Sequence, residues 1–464
     1  MPLSVGLAAL SLPVLPDGLG YDPWSWMIWG REMDHGSLVT AGAASAFKPL
    51  PAFVDALMAP FGSAAGDLWL VCARPGVVIS AVLVYHLAKA LGGRTAAATA
   101  TAGWLTAKQV AGYLTLEGMS EPLCAAFVLL AVDAHLCRHR RLAVVLGAVA
   151  ALIRIELWPF VACYAAVTFF IEPRRPKTGV VLVAAVLAAV PAAWFLPDAV
   201  SSGDLFRSVV RATQESQGGP LLTSHPGLST VAEGAGTFVW PLVAIFVADT
   251  AITVVAWVKL GQKRPTFWLT WSAWAWLAAQ AMMAALRIAA GAPRFLLPGV
   301  ALAVVVAGCE WAVLIGRLRG LVPPARGALV LAIAWLALLG GSAHGWVNWA
   351  RDEHNDWVSG VNVQQLAAEL PMAVSKLGGR HAAVTCGTIA AAPLQNPAVA
   401  WALDVPLGDV GISPSGHGVV FATDGQPHVH THGYRSVGTV GPPSARWALL
   451  TTCGPTSAGA ASGH

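Results

Sequence analysis

The sequence predicts an α-helical polytopic membrane protein that carries a small extracytoplasmic α/β domain at its C-terminal end. Three observations support this. Of the 464 residues, 56% are hydrophobic and 11% are charged, whereas soluble domains carry about 25% charge. Apolar runs of membrane-spanning character recur about eleven times. After Trp349 the composition changes to short β-like runs separated by Gly and Pro turns. The net charge of +4 is small and gives no reason to expect a nucleic-acid partner. Twenty tryptophans suit the aromatic belts of a bilayer.

The first apolar run, residues 2–15, is short for a span and lacks both a basic n-region and a small-residue cleavage site. We read it as a first transmembrane helix, with a start codon that could lie further upstream. Further runs follow at 68–90, 95–115, 120–137, 142–154, 157–171, 179–197, 236–258, 266–290, 295–315 and 327–349. The pair 142–154 and 157–171 is interrupted by Arg154-Ile155-Glu156 and Pro159. Such a break is tolerated at membrane depth only where the backbone lines a protein cavity.

Loop charges set the orientation. Alternate loops hold Arg94; Arg138, Arg140 and Arg141; Arg174, Arg175 and Lys177; Lys259, Lys263 and Arg264; and Arg317, Arg319 and Arg326, with Glu172 their only acid. The opposite loops hold Asp22, Glu32, Asp34, Asp67, Glu117, Glu121, Glu156, Asp198, Asp204, Glu215 and Glu233. The N-terminus is therefore expected in the cytoplasm, with the acidic loops and C-terminal region outside a bacterial plasma membrane. The long loop 198–234 contains a helical piece around Leu205 to Glu215.

Residues 1–349 form the expected membrane module and 350–464 the outward domain, with strands expected near 382–385, 418–422 and 448–451 and a disordered tail from Gly454. Cys72, Cys124, Cys137, Cys163 and Cys309 lie in apolar runs and read as core residues. Cys386 and Cys453 are the only cysteines of the outward region and form a candidate disulfide in an oxidising compartment.

The stretch Tyr21–Pro51 organises the chain. It places Asp22, Arg31, Glu32, Asp34, His35 and Lys48 just after the first apolar run, where ionisable groups usually mark function. Asp22-Pro23 is open to two readings: an N-cap followed by a first-turn proline, starting a helix that ends at Gly36, or a general base at the outer boundary. Glu32 and Asp34 are either a solvated face or part of a substrate site. Trp24, Trp26 and Trp29 suggest a helix lying in the lipid interface. Lys48, in F-K-P-L-P, either snorkels to headgroups or binds phosphate.

Glu121 in G-M-S-E-P either opens a helix together with Ser120 or serves a site. Arg154 and Glu156 in R-I-E-L-W-P interrupt hydrocarbon at a depth where charge is costly; they form an ion pair or bind a sugar or phosphate. Arg294 in G-A-P-R-F-L-L-P is an anchor or a phosphate ligand. His428, His430 and His432 share one face if extended, but a solvated loop is the favoured reading over a metal site. No phosphate-binding P-loop, G-x-S-x-G or H-E-x-x-H is present.

These motifs together resemble the GT-C class of integral-membrane glycosyltransferases. More closely, Y-D-P-W-S-W-M-I-W-G-R-E, F-K-P-L-P, G-M-S-E-P, R-I-E-L-W-P-F and P-R-F-L-L-P look like an actinobacterial group of such proteins. The resemblance covers nearly the whole chain. It implies inverting transfer of a sugar, mannose or arabinose, from a polyprenyl-phosphate donor to an extracytoplasmic hydroxyl. The acceptor would be a glycolipid, a polysaccharide or a protein, and the chain's other partner is membrane lipid. Asp22 matches the position of the class's outer-loop base. Glu32, Asp34, Lys48, Glu121, Arg154, Glu156 and Arg294 are the candidate substrate-binding residues. Ile155 stands where the pattern expects Pro, and Met119 where it expects Asn, which loosens the parts given to Glu156 and Glu121. The resemblance fixes no cofactor and leaves room for a divalent cation. The alternative is a transporter or flippase for a lipid-linked or anionic substrate; a third reading is a non-catalytic assembly protein.

Overall fold

A computed structural model describes the chain apart from residues 1, 44, 171–176, 215–222, 238–239, 290, 322–326, 341–342, 424–432 and 454–464. Glu172, Arg174, Arg175, Glu215, Arg326, the run His428, His430 and His432, and the tail from Gly454 lie outside the described residues.

Each expected apolar run is largely helical among the described residues. Helix α1 (Pro2–Ser11) leads to two helices of the first loop, α2 (Tyr21–Asp34) and α3 (Pro49–Met58). Next come α4 (Ala65–Ala73) and α5 (Pro75–Leu105). Helix α5 joins most of two expected runs across a break at Gly93, whose φ of +81° suits a residue without Cβ. The short α6 (Tyr113–Leu116) precedes α7 (Glu121–Leu136), α8 (Arg140–Ile153), α9 (Trp158–Phe170) and α10 (Lys177–Ser202). The 198–234 loop contains α11 (Arg207–Gln214) and most of α12 (Pro226–Thr237). Helices α13 (Trp240–Leu260), α14 (Phe267–Ala285), α15 (Leu297–Gly320) and α16 (Gly327–Gly340) complete the bundle. Among the described residues, four stretches are long and apolar enough on their own to cross a membrane: Pro49–Leu105, Gly179–Ser202, Trp240–Leu260 and Pro293–Gly320.

Helix α15 is the bundle's centre. Every residue from Leu297 to Trp311 is buried, as expected of a helix that is apolar all round. It packs on α5 through small residues. A Cβ added at Gly308 would stand 2.6 Å from the Ala96 carbonyl oxygen, and one at Gly92 would stand 3.1 Å from the Cys309 Cα. With little hydrophobic drive between helices in lipid, such close backbone approach is a main source of association. Arg264 ties α13 to α15, bonding Asp249 at 2.8 Å and Glu310 at 2.5 Å.

Helix α17 (Ala343–Lys376) runs unbroken from the end of the bundle into the C-terminal region. There α18 (Arg380–Thr385) and α19 (Asn396–Leu403) pack with strands β1 (Thr388–Ala391), β2 (Val410–Gly411), β3 (Gly418–Thr423), β4 (Arg435–Val440) and β5 (Trp447–Thr451). The sheet order is β2-β1-β3-β5-β4, with β1 parallel to both neighbours and β5 antiparallel to both of its own. The expected strands at 418–422 and 448–451 are present. The run at 382–385 is instead the end of α18, whose two alanines favour helix. Cys386 and Cys453 are bonded, which pins the end of β5 to the turn after α18.

The sheet and the first loop share one core. Trp26, Trp29, Phe47, Trp69, Phe421 and Trp447 belong to a single buried cluster. Trp26 and Trp29 are therefore protein core rather than a lipid belt. Trp26 meets Trp69 edge-on at 5.3 Å, and Trp24 faces Trp401 at 5.9 Å. Arg31 donates to the Val405 carbonyl at 3.1 Å and pairs with Asp404 at 2.8 Å. Gly30 allows the close crossing of α2 and α3, since a Cβ there would lie 2.6 Å from the Ala56 nitrogen.

Candidate functional site

Asp22 lies in the first turn of α2, but it does not cap it. The N-cap is Gly20 and no side chain caps the helix; the Asp22 carboxylate is turned towards two cations. Gly36, at φ +67°, ends the helix as expected. Lys48 is extended at φ −122° and ψ 115°, the backbone favoured before proline. That conformation carries its Nζ inward, 3.2 Å from Asp22 Oδ2 and 3.4 Å from Glu121 Oε1. It also stands 4.8 Å over the Trp26 ring. Lys48 is thus buried in an ion-pair cluster and does not snorkel.

Glu121 is the first residue of α7, is 1% exposed, and sits at the middle of the cluster. Besides Lys48, its Oε1 lies 3.6 Å from Arg154 Nη1 and 3.9 Å from Arg294 Nε. Arg154 occupies the extended break between α8 and a 3-10 turn at Ile155–Leu157. It pairs with Glu156 and lies 3.5 Å over the Phe295 ring. The interrupted hydrophobic stretch therefore does line a polar interior. Arg294 comes from a 3-10 turn, Pro293–Leu296, and reaches Asp22 Oδ2 at 3.3 Å and the Tyr113 hydroxyl at 3.3 Å.

Six of the eight candidates are thus brought together from four parts of the chain: Asp22, Lys48, Glu121, Arg154, Glu156 and Arg294. Glu32 and Asp34 are not among them. Glu32 sits ten residues further along α2, about 15 Å at helical rise, where it accepts the Val39 N–H at 2.8 Å. Burial pushes Glu32 up to about 7. Asp34 is exposed at the helix end. Tyr113 is the contributor that sequence patterns did not mark. A lone tyrosine in V-A-G-Y-L has no motif, and its link to Arg294 exists only in three dimensions.

Three cations face three carboxylates, so the cluster is formally neutral. Burial alone raises the Asp22 pKa, but the Lys48 ammonium and the Arg294 guanidinium overcome this and hold the carboxyl below its usual value. Asp22 is therefore ionised and acceptor-only. Nearby, burial pushes Glu117 up to about 7, helped by Asp356.

No protein-family model matches the sequence, and no curated protein matches it. Among solved structures, the chain is similar to ArnT from Cupriavidus metallidurans bound to undecaprenyl phosphate, at 14% identity over 98% of this chain and 99% of that one, with a TM-score of 0.52. The apo state of the same protein gives 14% identity, 98% coverage of both chains and a TM-score of 0.53. At this identity the likeness establishes architecture, and it does so nearly from end to end: the chain shares the fold of these ArnT structures.

Proposed function

We propose that this protein is a membrane glycosyltransferase that moves a sugar from a polyprenyl-phosphate donor to an acceptor hydroxyl on the outer face of a bacterial plasma membrane. The observation that carries the reading is the convergence of Lys48, Arg154 and Arg294 around Asp22 and Glu121. Three cations at one point, Lys48 and Arg154 buried and Arg294 partly so, suit a phosphate anion, and an ionised carboxylate beside them suits a base. The similar ArnT structure holds undecaprenyl phosphate, a ligand whose chemistry fits such a cluster.

Before donor binds, Lys48 and Arg294 neutralise Asp22. When the donor phosphate enters, it competes for these cations, and Asp22 is released to accept a proton. The acceptor oxygen then attacks the sugar C1 with inversion. The new O–C1 bond forms as the C1–O(phosphate) bond breaks, and the prenyl phosphate leaves with the bonding electron pair. The acceptor proton goes to Asp22, while the cations stabilise the charge developing on the phosphate. Because each cluster carboxylate already faces a fixed cation, the donor set is poorly suited to a divalent ion, and we propose a metal-independent reaction. By resemblance the sugar is mannose or arabinose, and the acceptor a glycolipid, cell-wall polysaccharide or protein. The loop charges support an N-terminus in the cytoplasm.

A guanidinium can bind phosphate through two parallel hydrogen bonds, whereas an ammonium keeps only the charge. In sugar transfer from a synthetic prenyl-phosphate donor by purified protein, Arg154→Gln is therefore expected to raise the donor KM more than Arg154→Lys does. Unchanged transfer in both variants would assign Arg154 to structure. Absence of transfer, combined with donor-dependent transport into liposomes, would favour the flippase reading.

A further inference from the structure

Helix α17 packs on α6 and the segments beside it along one face, where Glu353, Asp356, Gly360 and Gln364 recur at helical spacing. Asp356 Oδ2 accepts the backbone N–H of Tyr113 at 3.0 Å. Ser359 Oγ donates to Glu117 Oε1 at 3.5 Å, and the Glu117 carbonyl accepts the Gly20 N–H at 3.0 Å. Lys108 adds an ion pair to Asp352 at 3.2 Å. The approach is close, and at Gly18, where the neighbour is backbone, it demands glycine. A Cβ at Gly112 would stand 2.5 Å from Asp356 Oδ2 and 2.7 Å from Glu353 Oε2, and a Cβ at Gly18 would stand 2.4 Å from the Gln364 nitrogen.

We propose that Asp356 is a positioning residue for the Arg294 guanidinium, acting through Tyr113. The proposal rests on the donor-phosphate role given to Arg294 above. Arg294 directs its nitrogens at Asp22, Glu121 and the Tyr113 hydroxyl, with Met119 Sδ also 3.9 Å from Nη1. Once a phosphate draws Nη2 away from Asp22, the Nη1 contact to Tyr113 still fixes the plane of the group. Tyr113 itself opens a four-residue helix, far below the length that is stable alone. Its backbone is held by Asp356, so the aim of Arg294 is set from α17, the helix that also packs against the C-terminal sheet. The acids around Asp356 are Asp352 and Glu353 on its own helix and Glu117 across from it, with Lys108 the facing cation.

The test uses full-length protein carrying Tyr113→Phe, Asp356→Ala, Asp356→Asn, and Tyr113→Phe with Asp356→Ala combined. Hydrogen exchange is followed over residues 293–297, and binding of a short prenyl phosphate is read by tryptophan fluorescence. Tyr113→Phe and Asp356→Ala are each expected to speed exchange at 293–297 and to weaken binding about tenfold, the usual scale for a lost hydrogen bond to a charged group. The combined variant should bind no more weakly than Asp356→Ala, because both changes cut one chain of contacts. Asp356→Asn keeps an acceptor oxygen for the Tyr113 N–H and should behave like the wild type. Unchanged exchange at 293–297 in Asp356→Ala, or fully additive losses in the combined variant, would overturn the proposal. If wild-type protein binds no prenyl phosphate, the donor reading falls, and exchange at 293–297 alone decides whether Asp356 positions Arg294.

Discussion

Asp22→Asn is expected to lose most sugar transfer, about a hundredfold to ten-thousandfold, while the protein still folds, less stably than wild type because the cluster is left with a net positive charge. The substitution keeps the volume and one oxygen but removes the proton acceptor. Folding survives because Asp22 caps nothing: α2 begins after Gly20 without a side-chain cap. Lys48 also keeps Glu121 at 3.4 Å, and Arg294 keeps the Tyr113 hydroxyl at 3.3 Å. For the same reason Asp22→Ala should not suffer the cap loss that Asp22-Pro23 suggests in sequence, and its stability should lie close to that of Asp22→Asn. Transfer assays with thermal unfolding recorded on the same preparations check both statements. Near-normal turnover in Asp22→Asn would remove Asp22 from the chemistry.

Glu121→Gln is expected to produce the largest loss of stability at the site. Its carboxylate is 1% exposed and faces Lys48, Arg154 and Arg294 at once. Without it the cluster carries an uncompensated positive charge, and breaking a buried pair typically costs about 3–5 kcal/mol. The signature is what restores it. A prenyl phosphate supplies the missing negative charge, so ligand-induced thermal stabilisation should be larger in Glu121→Gln than in wild type. Equal shifts in the two proteins would mean that Glu121 does not govern the anion site.

Much of this arrangement was legible in the sequence, because charge in hydrocarbon is costly and so betrays itself. Arg154 and Glu156 in an apolar run, Lys48 before proline and Arg294 at a span entrance were each noticeable alone, and they meet in space. Their partners were harder to assign. Asp22, next to proline, looked like a cap, since local pattern does not reveal that two cations from distant segments claim its carboxylate. Trp26 and Trp29 resembled a lipid belt because apolar surface reads the same whether lipid or protein covers it; the C-terminal sheet that covers them is some 400 residues away in sequence. Tyr113 and Asp356 were invisible, since a single hydrogen bond to a backbone N–H leaves no periodic trace. The strand expected at 382–385 failed because a four-residue run holds too little information to separate helix from strand.

The central claim is that the cations around Asp22 hold the phosphate of a prenyl-phosphate lipid. A cryo-EM structure of the protein with a bound prenyl phosphate tests it most directly. The account predicts phosphate oxygens within hydrogen-bond distance, about 2.7–3.0 Å, of Lys48 and Arg294, with Arg294 drawn off Asp22 and the Asp22 carboxylate free to face an acceptor. A headgroup bound elsewhere, with the Lys48–Asp22–Arg294 pairing intact, would contradict it.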